Sequence, residues 1–184
     1  MPDTTKRCKR RWTAFPQSAT LARNANNDAE INNRISKASS AFGRLRENVW
    51  ERRGFSFETK LKVYRVVVLT TLLYGSETWT AYRRHEKHLK HFHLRCLRNL
   101  LHIRWQDKIP DTEVLKQTNF SSIITIMRKA QLRWAGHVTR MPDDCIPKKP
   151  LYGELCQGKR SVRGQRKRPK DSLKFSLKDF NIST

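Results

Sequence analysis

Arg84, Lys87, His91, Arg95, Arg98 and His102 recur every three or four residues. On a helix that spacing sets them on one face, roughly opposite Leu89, Phe92, Cys96, Leu100 and Ile103. Like charges at i, i+4 repel, and no acid is interleaved along the row. The chemistry this pattern suits is contact with a phosphate backbone; the alternative is a solvated polar face. A second cationic set lies in GKRSVRGQRKRPK, with Lys159, Arg160, Arg163, Arg166, Lys167, Arg168 and Lys170. Lys129 and Arg133 fall on the outer side of a later helix. Two pairs, Arg104-Trp105 and Arg133-Trp134, could stack bases or place a guanidinium on a phosphate. Trp134 continues an apolar stripe and is expected in the core. Trp105 stands at a helix end beside Gln106, Asp107 and Lys108.

Other chemistries fare worse. His85, His88 and His91 are spaced i, i+3, i+6, whereas two zinc ligands on one helix want i, i+4 or a second segment. His93 and Cys96 could add two ligands, but Cys96 is expected on the core face and His93 off it. Cys145 and Cys156 lie too far from any histidine for a zinc knuckle. Asp143 and Asp144 follow Pro142 in a proline-rich stretch without strand alternation, which does not suit a metal-binding carboxylate pair. No glycine loop of the Walker or dinucleotide type occurs, and nothing in the sequence brings a nucleophile to a base. Neither metal nor cofactor is expected, and no catalytic residue.

The elements that must position these groups are constrained by charge. Thirty-nine Lys and Arg stand against 16 Asp and Glu, a formal net charge of +23 over 184 residues. Such an excess opposes compaction unless a polyanion neutralises it, and an anionic membrane surface would serve as well as nucleic acid. No apolar run reaches membrane-spanning length and no signal peptide opens the chain, so an intracellular setting, nuclear or cytoplasmic, is expected. Cys8, Cys96, Cys145 and Cys156 form no framework, which fits a reducing compartment.

Periodicity predicts helices. After a basic lead over residues 1–26, expected to be disordered, Asn27 and Glu30 give an N-cap signature. Ile31, Ile35, Ala38, Phe42, Leu45 and Val49 follow as a stripe that Gly43 weakens. The run from Lys60 to Trp79 is the longest mostly apolar one. Ser56 caps it, Gly75 ends it, and Phe57, Leu61, Tyr64, Val68 and Leu72 share a face. Val66 to Val68 argue locally for a strand, but the length favours a helix buried on most sides. The cationic helix runs from about Arg83 to Ile103. Pro110 and Asp111-Thr112-Glu113 open a short helix ending near Asn119. Ser121 or Ser122 caps another to about Arg140, with Ile123, Met127, Ala130, Trp134 and Val138 inward. Pro169 starts a last one carrying Leu173, Phe175 and Leu177. The expected fold is an all-α small helical bundle with basic, partly disordered tails. Its divisions are 1–26, a bundle over 27–105, a segment packed on it over 106–141, and a linker and tail over 142–184.

Four stretches carry a resemblance: EINNRISKASSAFGRL, LKVYRVVVLTTLLYGSETW, QLRWAGHVTRMPDD and LYGELCQGKRSVRGQRKRPKDSLK. Together, from about Asp28 to Lys174, they resemble the C-terminal end of reverse transcriptases from non-LTR (LINE-type) retrotransposons. The resemblance implies a thumb-like bundle and a basic extension that grip a template–primer duplex. The partners it implies are RNA, DNA or an RNA–DNA hybrid, and the palm domain of a reverse transcriptase. The palm's metal-binding aspartates and Tyr-x-Asp-Asp hairpin are absent here, so no polymerase activity is expected from this chain alone. Thr70 stands where such proteins often have proline, and Pro169 where they often have an aromatic residue. Residues 1 to about 26 do not share the likeness. The alternative is a residual or repurposed helical protein of the same origin that acts through protein contacts.

Overall fold

In the computed structural model, residues 27–143, 145, 147, 148, 167 and 169–180 are described. The first helix, α1 (Asp28–Arg44), carries Asp28 and Glu30 in its opening turn, where the helix dipole favours acids. The expected cap by Asn27 does not form. Asn27 already has helical backbone angles and its side chain makes no capping bond. Glu30 turns inward instead and pairs with the buried Arg34 at 2.7 Å. Ile31 and Ala38 are buried, and Ile35, Phe42, Leu45 and Val49 pack against them, as the periodicity predicts. A π-helical stretch (Arg46–Trp50) follows. The Trp50 indole donates to the Phe42 carbonyl at 2.8 Å and its ring stacks on Phe42.

Ser56 caps α2 (Phe57–Val63) as expected, its hydroxyl accepting from the Thr59 N–H at 3.3 Å. The helix then widens into a π-helical stretch (Tyr64–Leu69) and closes as α3 (Thr70–Leu73). The valine run is helical, so its strand preference loses to the packing of Tyr64, Val68 and Leu72. Burial on most sides is corrected, however: Val66 is 67% exposed and Arg65 and Thr70 also face solvent. At Thr70 the backbone N–H bonds the Val67 carbonyl, and the hydroxyl takes the Val66 carbonyl that an α-helix would have used. A proline at this position would leave the same carbonyl open. Gly75 ends the element at φ 76°, the left-handed conformation glycine adopts without cost.

α4 (Arg83–Leu100), α5 (Asp111–Gln117) and α6 (Ile123–Thr139) follow, and α7 (Pro169–Asp179) begins at the predicted proline. Among the described residues there is no strand, so the all-α bundle stands. The core converges on Tyr64, whose ring meets Phe42, His93 and Phe120 at centroid distances of 6.4, 5.8 and 5.8 Å. Ile123 and Met127 of α6 belong to the same core.

Two inward positions differ from expectation. On α6 Gln131 joins Ile123, Met127 and Val138 among the buried residues, while Ala130 and Trp134 are only partly covered. The Gln131 amide donates to the Ser76 and Trp79 carbonyls at 3.1 and 3.0 Å, which ties α6 to the turn after α3. On α7 Phe175 faces outward beneath the Arg128 guanidinium, and Arg128 also pairs with Glu86 and Asp179. Cys145 is buried and disulfide-bonded, so the cysteines are not all unconnected. No helix among the described residues is long and apolar enough to cross a membrane.

Candidate nucleic-acid interface

α4 separates its two kinds of side chain as the spacing predicts. Leu89, Cys96, Leu97 and Leu100 are buried, while Arg84, Lys87, His91, Arg95 and His102 are exposed. The helix ends earlier than expected, because His102 is left-handed at φ 55° and breaks the repeat. Its N–H bonds the Asn99 carbonyl at 3.1 Å, and the Ile103 N–H reaches back to Arg98 at 3.0 Å. The chain thereby turns across the end of α4. His91, Arg95, Arg98, Asn99, His102, Ile103 and Arg104 then line one open depression of about 560 Å³.

The absence of acids along the stripe is true of the helix and false of the fold. Asp28, from α1, pairs with Arg84 at 2.6 Å and with the buried His85. Asp111, at the start of α5, pairs with Arg98 at 2.6 Å and with Lys90 at 2.9 Å. Hydrogen bonds from Lys90 and Arg98 hold the Asp111 carboxyl below the usual carboxylate range, so it is ionised at neutral pH. Arg98 also donates to the Ile109 carbonyl at 3.4 Å. Arg84 and Arg98 thus have carboxylate partners from other helices, while Lys87, His91 and Arg95 stand open between them.

The remaining expected site residues divide by place. Arg104 and Trp105 are exposed in the turn after α4, and Lys129 and Arg133 are exposed on α6. Lys170 is exposed in the first turn of α7. Lys167 lies at the other end of the stripe: its ammonium sits 5.5 Å from the centre of the Tyr82 ring, which Arg84 also approaches at 5.6 Å. Lys159, Arg160, Arg163, Arg166 and Arg168 lie outside the described residues. Lys90, Asp111 and Tyr82 are the groups that sequence reading missed. Lys90 with Asp111 and Tyr82 with Lys167 join residues far apart in the chain, so no local spacing could have announced them.

His93 corrects the metal reading. It is buried in the core, not off it, and its Nδ1 lies 2.9 Å from the Tyr64 hydroxyl. Burial drives the His93 pKa down to about 4 and the Cys96 thiol up to about 12. Among the described residues no group of three His, Cys, Asp or Glu side chains is placed to hold a metal. No family model, curated protein or solved structure matches this chain. The exposed face of α4, with Lys87 and Arg95, offers donors and positive charge, a chemistry suited to binding anions.

Proposed function

We propose that this chain is a nucleic-acid-binding module that holds the phosphate backbone of an RNA, DNA or RNA–DNA duplex and supplies no catalytic group. The observation that carries the reading is the open cationic face of α4, Lys87, His91 and Arg95 leading into the depression closed by Arg104. A formal charge of +23 gives the whole molecule the same preference. The resemblance to the thumb and basic extension of non-LTR reverse transcriptases supports a template–primer duplex as the ligand and a palm domain as the neighbour. A nuclear or cytoplasmic setting goes with this reading. Contacts of this kind position a protein on a duplex and read little sequence.

Salt titration tests it. Each phosphate neutralised adds roughly 0.9 to the slope of log affinity against log salt. The double variant Lys87→Ala/Arg95→Ala should flatten that slope by about two units on RNA–DNA hybrid and on duplex DNA of unrelated sequence. Its circular dichroism should match the parent's, because both side chains are exposed. An unchanged slope with the fold intact would mean that the face is merely solvated, and the reading would fail.

A further inference from the structure

The turn after α4 holds a tryptophan where water reaches almost all of it. Trp50 and Trp79 are each 5% exposed and Trp134 is partly covered, whereas Trp105 is 86% exposed. An indole carries a large apolar surface, and a fold that covers Trp50, Trp79 and, in part, Trp134 gains nothing by leaving this one in water.

The turn is also built rather than frayed. Trp105 opens a short 3₁₀ turn (Trp105–Asp107), and the Asp107 carboxylate accepts the Arg104 N–H at 2.7 Å. His102 before it and Lys108 after it both hold positive φ, 55° and 48°, a conformation that L side chains adopt only at a cost. The depression begins at Arg104, the residue before Trp105.

We infer that Trp105 stacks on an unpaired nucleobase of an RNA or DNA strand where it leaves a duplex. The cations of the depression hold the adjoining phosphates. This rests on the nucleic-acid reading proposed above and adds a second kind of ligand to it. An aromatic anchor for a protein partner sits centrally in an apolar patch; Trp105 sits instead among exposed Arg104, Gln106, Asp107 and Lys108. Aromatic faces set among cations are the composition of single-strand platforms, since every base offers a π face. Within a duplex those faces are covered by neighbouring pairs, so the base that Trp105 meets is an unpaired one. Lys87 to Arg98 spans about 16 Å of helix axis, enough to lie along a duplex backbone while the turn reaches past its end.

Binding of the full chain to a blunt duplex, and to the same duplex with a short single-stranded overhang, tests the inference. Trp105→Ala should lose about 5- to 150-fold in affinity for the overhang substrate and leave the blunt duplex unaffected. The salt slope should hold, because no charge is removed. Trp105→Phe should keep most of the affinity. A 2-aminopurine in the overhang should lose fluorescence on binding the parent chain and keep it with Trp105→Ala. Equal losses on both substrates, or none on the overhang, would overturn the stacking site while the backbone reading stands. If the parent chain binds neither substrate, the backbone reading fails and the stacking site with it.

Discussion

His93 and Tyr64 meet inside the core, where one polar group goes unpartnered. If the Tyr64 hydroxyl donates to His93 Nδ1, the proton on Nε2 has no acceptor; Nε2 is buried without a hydrogen-bond partner. The opposite tautomer would strand both Nε2 and the tyrosine proton, so the first arrangement is the better one. A neutral ring is stable there and a charged one is not. Burial lowers the folded pKa from 6.5 to about 4, so between those values the unfolded chain binds the extra proton and acid favours unfolding. The contribution is complete above about pH 6.5, declines as pH falls, and is lost by about pH 4. Its size is on the order of 3 kcal/mol. Urea unfolding from pH 7.5 to 4 should show the decline, and His93→Phe should flatten it, whatever that change costs in absolute stability. Asp111 adds its own loss only at lower pH, since its carboxyl lies below the usual range. His93 was legible in principle: it stands four residues after Leu89 and three before Cys96, on the core stripe. Treating a titratable ring as polar hid it. Nothing in the sequence pairs it with Tyr64, 29 positions earlier.

At the scale of the elements, two glycines take opposite signs. Gly43 is inside α1, and an added methyl there meets nothing within 4 Å. Gly43→Ala should raise stability by about 0.5–1 kcal/mol, by restricting the unfolded chain and restoring helix propensity. Gly75 has equally open space around it, but its φ of 76° penalises any L side chain. Gly75→Ala should cost about 1–2 kcal/mol. Melting temperatures that shift the same way for both would contradict this account. Punctuation of this sort was readable, since Ser56, Gly75, Pro110 and Pro169 each stand where an element begins or ends. What local reading could not supply is the choice between equivalent solutions. Glu30 offered a capping box and found Arg34. The valine run offered a strand and became a π-helical stretch, the Val66 carbonyl met by the Thr70 hydroxyl and the Val67 carbonyl accepting the Thr70 N–H and the Thr71 hydroxyl. In both cases a buried neighbour outweighed the local preference.

For the whole molecule, the question is how so much positive charge is both folded and kept available. The acids are few, and two of them reach the cations of α4 from other helices. Asp28 joins α1 to α4 through Arg84 and His85, and Asp111 joins α5 to α4 through Arg98 and Lys90. The candidate site was therefore half legible: the helical row of cations could be read from spacing, while the acids that mask its two ends come from other parts of the chain. The same carboxylate thus has two roles that oppose each other, stabilising the bundle and lowering the charge offered to a polyanion. Asp111→Asn separates them. Without its charge, Arg98 and Lys90 are released beside the open depression, and both can turn to phosphate. Affinity for duplex at low salt should rise, and the salt slope should steepen by between one and two units. Stability should fall by about 1 kcal/mol or less, because both ion pairs are partly exposed and such pairs are worth little each. Salt titration and urea unfolding of the same variant check the two halves. A steeper slope with slightly weaker folding is the expected pair of results; an unchanged slope would place Arg98 and Lys90 away from the bound backbone and confine the interface to Lys87, His91 and Arg95.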